Sequence, residues 1–185
     1  GTFVVGPQPM VDLFTLGGTT AAFEDAGLRL LTNTVEAVQR HETLDAEAGP
    51  LMGRAGYRFA RVGRVGVTPV LLERMYLDAR VFPDFDAQQI DQEPLSRLVE
   101  RKYHRRPTGG HQTLRTHQLM ADESRLLQVE LGVPALLIER TLQFREIGPA
   151  LFTRIFALTD RVVLAQSLTE PLRLACVLAR QEEKI

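Results

Sequence analysis

GVTPVLLERMYL, at residues 66–77, is the stretch of sequence that decides the fold. A turn signal at residues 66–68 separates two segments with strand character, residues 57–65 and residues 69–78. Two such segments joined by a short glycine-containing turn are typical of an antiparallel β-hairpin. The hairpin is therefore the first element that the sequence predicts.

Alternation along the second strand of this hairpin singles out one acidic residue. Leu71, Glu73, Met75 and Leu77 fall on the same face of the strand, because successive side chains point to opposite faces. An acid flanked by Leu and Met is costly to bury unless it is paired. Two interpretations follow for Glu73: a structural ion pair with an arginine such as Arg61 on the preceding strand, or an acid that faces a ligand.

Outward from the hairpin, the order strand, helix, strand, strand occurs twice. The first copy comprises residues 28–41, 43–52, 57–65 and 69–78, and the second comprises residues 111–120, 122–131, 135–144 and 150–158. A helix at 94–103 separates the copies, and a strand at 161–168 and a helix at 170–184 follow them. This pattern predicts an α+β fold with one antiparallel sheet of six to seven strands, helices packed on it, and an internal duplication. A crevice between such a sheet and its helices is the natural place for a small ligand.

Composition excludes several classes of protein. The 185 residues are 44% hydrophobic and 24% charged, which excludes global disorder. A formal net charge of -1 provides no overall attraction for nucleic acid. No apolar run approaches the ~20 residues that span a bilayer, so we expect no membrane segment and a cytoplasmic protein. The single cysteine, Cys176, lies on the apolar face of the predicted tail helix, where a buried structural thiol is expected.

The sequence contains none of the common catalytic or cofactor-binding motifs. A nucleophile elbow, a phosphate-binding loop and a dinucleotide fingerprint are all missing, so we expect no catalytic residue and no cofactor. His111 and His117 share one predicted strand with Arg115 between them. Because an arginine would repel a metal ion held by these histidines, we expect no metal site.

Arginine is the residue type that most suggests a ligand, since 20 Arg stand against two Lys and a guanidinium binds carboxylates through a planar fork. The basic run at residues 97–106 is interrupted by an acid and is better explained as a solvated helix face than as a nucleic-acid surface. Ser96, near the start of the middle helix, either presents its hydroxyl to an anion or belongs to the helix surface. The predicted effector-binding residues are Arg61, Arg64, Glu73, Ser96, Arg115, Arg140, Thr153 and Arg154.

The hairpin at residues 66–77 resembles the Gly-x-Pro-Val-x-Leu-Glu-Arg-x-Tyr-Leu hairpin of the UTRA effector-binding domain, which occurs in GntR-type bacterial transcription regulators of the HutC subfamily. Further similar stretches are LGVP at 131–134, LLIERT at 136–141 and TDR at 159–161. The resemblance implies a chorismate-lyase-like fold and a homodimer. It also implies a small-molecule effector that changes affinity for operator DNA, which is read by a winged-helix domain absent from this chain.

The resemblance also suggests how the chain is divided. Residues 1–5, GTFVV, resemble the final wing strand of the family's DNA-binding domain, and this abrupt start leads us to expect a chain cut from something longer. We assign residues 1–8 to the remnant of the wing strand and residues 9–27 to a linker. Residues 28–169 form the UTRA domain and residues 170–185 a C-terminal helix or tail.

Family members that sense amino-sugar phosphates use an Arg-x-Arg strand, the hairpin Glu and a Ser-x-Tyr pair at the middle helix. By resemblance Arg61 and Glu73 occupy the first two of these positions, but the second Arg falls on Gly63 and the Ser-x-Tyr pair falls on Pro94 and Ser96. We therefore expect a smaller or less polar acid than a sugar phosphate as the effector.

The leading hypothesis is a dimeric metabolite sensor of a transcriptional repressor without catalytic activity. One alternative is a lyase related to chorismate lyase, in which Glu73 would serve as the acid or base beside an anion clamp formed by Arg61. A second alternative is a degenerate module that only dimerises and has no ordered polar pocket.

Overall fold

The computed structural model describes residues 10–88, 90 and 94–166. In chain order the elements are β1 (Met10–Val11), α1 (Thr19–Asp25), β2 (Leu30–His41), a 3-10 segment (Ala46–Leu51), β3 (Gly56–Val65), β4 (Thr68–Asp78), a 3-10 turn (Phe85–Ala87), α2 (Leu95–Tyr103), β5 (Pro107–Gln118), α3 (Ala121–Leu127), β6 (Pro134–Phe144), β7 (Gly148–Ala157) and β8 (Val163–Leu164).

Six of these strands form one antiparallel sheet in the order β2-β3-β4-β7-β6-β5. The predicted α+β class and the predicted sheet are confirmed. The order also reflects the duplication, because each copy runs from an outer strand to a middle strand to an inner strand. The hairpin strand β4 and its counterpart β7 therefore pair along the centre of the sheet.

Two predicted elements differ from the structure for local reasons. The helix predicted at 43–52 is a shorter 3-10 segment, Ala46–Leu51, kinked at Gly49 with φ of 53° and followed by Pro50. Proline has no N–H to continue an α-helix, which explains why the helix does not form. Within the described part of the strand predicted at 161–168, residues 161–166, the strand is the two-residue β8, paired in parallel with β1. The predicted tail helix with Cys176 and the predicted wing strand lie outside the described residues.

Other elements pack on both faces of the sheet, so part of the buried core lies on each face. We call the face under α1 and α2 the inner face. The 3-10 segment Ala46–Leu51 and α3 pack on the opposite, outer face, against Phe152 and Phe156 respectively. β4 is buried over nearly its whole length because it lies at the centre of the sheet with both faces covered.

Residues predicted as a linker take part in this packing. Within segment 9–27, β1 and α1 place Val11, Leu13 and Phe23 in the buried core of the inner face. The domain boundaries drawn from the sequence stay a prediction. No helix formed by the described residues is long and apolar enough to cross a membrane.

We expect Gly56→Ala to destabilise the fold. A Cβ at this position would lie 2.5 Å from the carbonyl oxygen of Leu77 and 2.5 Å from Cδ1 of Leu44. The backbone carbonyl cannot move without disturbing the β3–β4 pairing, so the loss should be about 1–3 kcal/mol in urea denaturation. A Cβ at Gly109 would meet nothing within 4 Å, which makes Gly109→Ala the matched control. Equal losses for the two variants would contradict this explanation.

Candidate functional site

A crevice lies on the inner face, where the buried apolar side chains separate into two clusters. One cluster surrounds α2 and includes Phe59 and Leu98. The other lies under β1 and α1 and includes Phe23 and Ile155. The sheet surface between the two clusters carries polar and charged side chains, which form the floor of the crevice.

Strand register brings these floor residues together. Arg61 on β3 is directly opposite Glu73 on β4, and Arg140 on β6 is directly opposite Thr153 on β7. Gln112 on β5 is in turn opposite Arg140. Residues that are opposite in an antiparallel pair point to the same face, so five strands contribute to one polar row.

The first predicted pair, Arg61 and Glu73, is a buried ion pair. Nη2 of Arg61 donates to Oε2 of Glu73 at 2.9 Å, and the two residues are only 2% and 1% exposed. The Nε and Nη1 atoms of Arg61 are also buried but have no hydrogen-bond partner among the described residues. The structure contains the ion pair that the first interpretation of Glu73 predicted, and this pair forms part of the crevice floor. That Glu73 faces a ligand stays a prediction.

Arg140 is the second buried guanidinium of the floor. Its Nε donates to Oε1 of Gln112 at 2.9 Å, and its Nη2 donates to the carbonyl oxygen of Leu13. Burial lowers the pKa of Arg140, while the carboxylates of Glu73 and Asp12 act in the opposite direction. The guanidinium therefore sits where its charge is poorly solvated, which favours a negatively charged neighbour.

The walls of the crevice come from both sides of the sheet. Residues 16–20 and Ser96 close it from above, and Leu142, Phe144 and Leu151 line its apolar side. The free space in the crevice is about 60 Å³, room for about four waters at roughly 15 Å³ of such space each. Without movement of these walls, the crevice accepts only a small ligand or the end of a larger one.

Three predicted residues lie elsewhere. Arg64 is at the end of the β3–β4 hairpin, where its Nη1 donates to the carbonyl oxygen of Val67 at 3.0 Å. Arg115 and Arg154 project from the outer face, because they stand in the opposite alternation from the crevice residues of β5 and β7. Since Thr153 faces the crevice, its neighbour Arg154 points the other way.

The outer face has its own groove, larger at about 500 Å³ but broad and shallow. Its arginines are already paired: Arg154 lies 3.3 Å from both Glu47 and Glu139, and Arg115 lies 2.9 Å from Glu139. In the groove, Nε of Arg154 is buried without a hydrogen bond but still lies 3.3 Å from a carboxylate oxygen of Glu139. The crevice differs because Arg61 keeps two buried donors, Nε and Nη1, without partners among the described residues. For this reason we regard the smaller crevice, not the larger groove, as the candidate site.

Sequence reasoning missed several residues of the site. Gln112, the carbonyl group of Leu13 and residues 16–20 all contribute to the crevice or to its arginine. A backbone carbonyl carries no sequence signal, and residues 16–20 show no periodicity that would have placed them over the sheet. Only Gln112, which is half-buried on the same face as Arg140, could have been suspected, from alternation along the second copy.

Among the described residues that line the crevice, the ionisable groups are two guanidinium groups and one carboxylate. This leaves an excess of one positive charge in a largely apolar, buried setting. A carboxylate would neutralise that charge and accept hydrogen bonds in the planar geometry that a guanidinium offers. No group of three or more His, Cys, Asp or Glu side chains in the described part of the chain could hold a metal ion.

Comparison with protein families shows that the UTRA domain matches residues 27–162. The comparison with curated proteins gives no match. Among solved structures, the effector domain of PhnF from Mycobacterium smegmatis is similar in fold, with 21% identity, a TM-score of 0.76, and coverage of 86% of this chain and 99% of that chain.

Two further structures are similar. PhnF from Mycobacterium smegmatis, in a second crystal structure, has 21% identity and a TM-score of 0.77, with 90% of this chain and 74% of that chain covered. The C-terminal domain of the histidine utilization repressor from Pseudomonas syringae pv. tomato has 25% identity and a TM-score of 0.63, with 77% of this chain and 100% of that chain covered.

The Arg61–Glu73 pair should be far more sensitive to loss of one partner than to loss of both. Arg61→Met leaves a buried carboxylate without the partner that neutralises it, and we expect unfolding in urea to require about 3–5 kcal/mol less free energy. Adding Glu73→Leu removes this unpaired carboxylate and should restore most of that stability.

Arg40 and Glu42 provide the control, since this pair is 3.7 Å apart with side chains 54% and 85% exposed. Arg40→Met should cost less than about 1 kcal/mol. If the double variant Arg61→Met/Glu73→Leu is no more stable than Arg61→Met, an unpaired buried carboxylate is not the cause of the lost stability.

Proposed function

Because this chain belongs to the UTRA domain family, we propose that it is the effector-sensing domain of a GntR-type transcription regulator of the HutC subfamily. UTRA domains are regulatory domains of transcription factors and not enzymes, so the chain has a regulatory, ligand-binding role. The alternative of a chorismate-lyase-like enzyme is therefore set aside, although the fold is shared.

The observation that carries the proposal is the pair of unpartnered donors on Arg61. Buried polar groups are almost always hydrogen-bonded, and a buried donor without a partner is unfavourable. Arg61 belongs to the floor of the crevice, and its buried Nε and Nη1 have no partner among the described residues. A small anionic effector would supply the missing acceptors.

The proposed mode of binding uses the crevice residues that the sequence predicted. A carboxylate of the effector accepts from Arg61, and Glu73 holds that guanidinium in place through its 2.9 Å bond. Thr153 and Ser96 also line the crevice, and their hydroxyl groups offer further hydrogen bonds. Arg140 adds positive charge. The apolar part of the effector contacts the hydrophobic side of the crevice.

Regulation requires that the effector distinguish between two arrangements of the protein. A ligand with equal affinity for both arrangements would shift nothing, however tightly it bound. We propose that the chain acts in the cytoplasm as part of a homodimeric repressor. Its operator DNA is bound by a winged-helix domain outside this chain, and occupancy of the crevice changes the relative placement of the two sensor domains.

The outer edge of β5 supports the proposal of a homodimer. β5 is 12 residues long, and no described strand pairs with its outer edge. Leu114 in the middle of this strand is 41% exposed on the inner face. A long unpaired edge with an apolar side chain is a ready surface for pairing with a second copy.

An effector should stabilise the chain in a thermal-shift screen of small carboxylates, sugar phosphates and amino-acid catabolites. A ligand at 100 times its Kd adds about 2.7 kcal/mol, which raises the Tm of a domain of this size by several degrees. We expect the response to come from small carboxylates and to be lost in Arg61→Ala, measured against that variant's own Tm.

Arg154→Ala is the matched control, because Arg154 occupies the outer face and should leave the ligand response intact. Equal loss in both variants would contradict the assignment of the crevice. A screen in which no compound raises the Tm would contradict the proposed effector site and favour the module that only dimerises.

Disruption of the β5 edge should dissociate the homodimer. Leu114→Arg places a charge on the exposed face of the edge strand, and we expect sedimentation velocity to show a shift from dimer to monomer. Val67→Arg, at the exposed tip of the β3–β4 hairpin, should leave the dimer unchanged. A wild-type chain that sediments as a monomer at high concentration would refute the dimer.

A further inference from the structure

Residues 10–18, which we call the strap, lie across the inner face and close one side of the crevice. Val11 and Leu13 are buried, and the amide of Ala165 donates to the carbonyl oxygen of Val11 at 3.0 Å. The end of the strap continues into the residues that cover the crevice. The strap therefore contacts both β8 and the ligand-binding space.

Arg140, on β6, contacts the strap and the crevice at the same time. Its guanidinium lines the crevice, yet one of its nitrogens donates to the carbonyl oxygen of Leu13 in the strap. Its other recorded partner is the side-chain oxygen of Gln112 on the edge strand β5. Both acceptors are neutral, so among the described residues no carboxylate is hydrogen-bonded directly to this buried positive charge.

From this arrangement we infer that Arg140 is a positioning residue that couples occupancy of the crevice to docking of the strap. A hydrogen bond from a guanidinium to a carboxylate is stronger than one to a neutral carbonyl. A carboxylate in the crevice consequently draws Arg140 away from the Leu13 carbonyl oxygen. That buried carbonyl then loses its charged donor, and the strap becomes less firmly docked.

The coupling rests on the proposed function, because it needs an anion in the crevice. The role of Arg140 in holding the strap is independent of that function, because it needs no ligand. In the proposed regulator a winged-helix domain joins the sensor upstream of the strap. A change in strap docking is then a change at the junction between the two domains. The ligand and the strap at this junction would then compete for the same guanidinium group, that of Arg140. Such competition makes binding at one site change the free energy of the other.

Hydrogen exchange of the Ala165 amide tests whether Arg140 holds the strap in place, because this amide donates a hydrogen bond to the strap. In the ligand-free chain we expect Arg140→Gln to accelerate this exchange about tenfold, the order expected for loss of a hydrogen bond from a charged donor. The amide of Leu158, bonded to Val70 outside the strap, should not change. Arg154→Gln is the matched control on the outer face.

Arg140→Lys provides a second variant if the glutamine variant does not fold. Its single ammonium keeps the charge but cannot hold the Gln112 and Leu13 acceptors in the same planar geometry, so faster exchange at Ala165 is again expected. Unchanged exchange at Ala165 in the folded variants would overturn the role of Arg140 in holding the strap.

The coupling between an anion in the crevice and docking of the strap is tested by adding propionate, with chloride at equal ionic strength as the control. Binding is followed by NMR shifts of the Arg61 and Thr153 amides, separately from exchange at Ala165. We expect propionate to accelerate Ala165 exchange in the wild-type chain and to have no further effect in Arg140→Gln. If propionate shifts the crevice amides but not Ala165 exchange, the coupling is overturned while the effector site stands. If it shifts neither, the anion site fails and the coupling fails with it.

Discussion

The buried ion pair between Arg61 and Glu73 is the interaction on which the site depends. Two charges lie in the middle of a sheet, and removing them from water is costly unless their geometry is good and their other hydrogen bonds are made. Here only one nitrogen of Arg61 has a partner among the described residues. The apolar clusters on either side keep the pair in a poorly solvated setting. The result is a guanidinium held in place, with two donors that the described residues leave without partners.

The duplicated topology explains how one crevice collects side chains from distant parts of the chain. The first copy supplies Arg61 and Glu73, and the second supplies Arg140 and Thr153. These residues meet because β4 and β7 are neighbours at the centre of the sheet. A site divided between two copies needs both halves folded. Any relative movement of the halves or of the covering strap would change its shape.

The outer face uses the same residue types for structure. Arg74 is buried against Asp122 and Glu123, with 3.2 Å to a carboxylate oxygen of Glu123, and so attaches α3 to the centre of the sheet. Arg154 likewise lies between two carboxylates, those of Glu47 and Glu139, although its buried Nε makes no hydrogen bond. The two faces therefore differ in how far the protein neutralises its own arginines. On the outer face each of these arginines lies between two carboxylates, whereas the described crevice lining holds two guanidinium groups and one carboxylate.

The sequence by itself determined the hairpin, the repeated order of elements, the family and the position of Glu73 on a buried face. These follow from local periodicity and turn chemistry, which are written in neighbouring residues. Only the tertiary structure decided that Thr153 and not Arg154 faces the crevice, that Arg140 holds the carbonyl of Leu13, and that residues 16–20 close the site. Alternation fixes which side chains of a strand share a face. Which face receives the helices and the strap is set by packing between segments far apart in sequence, and no local pattern records it.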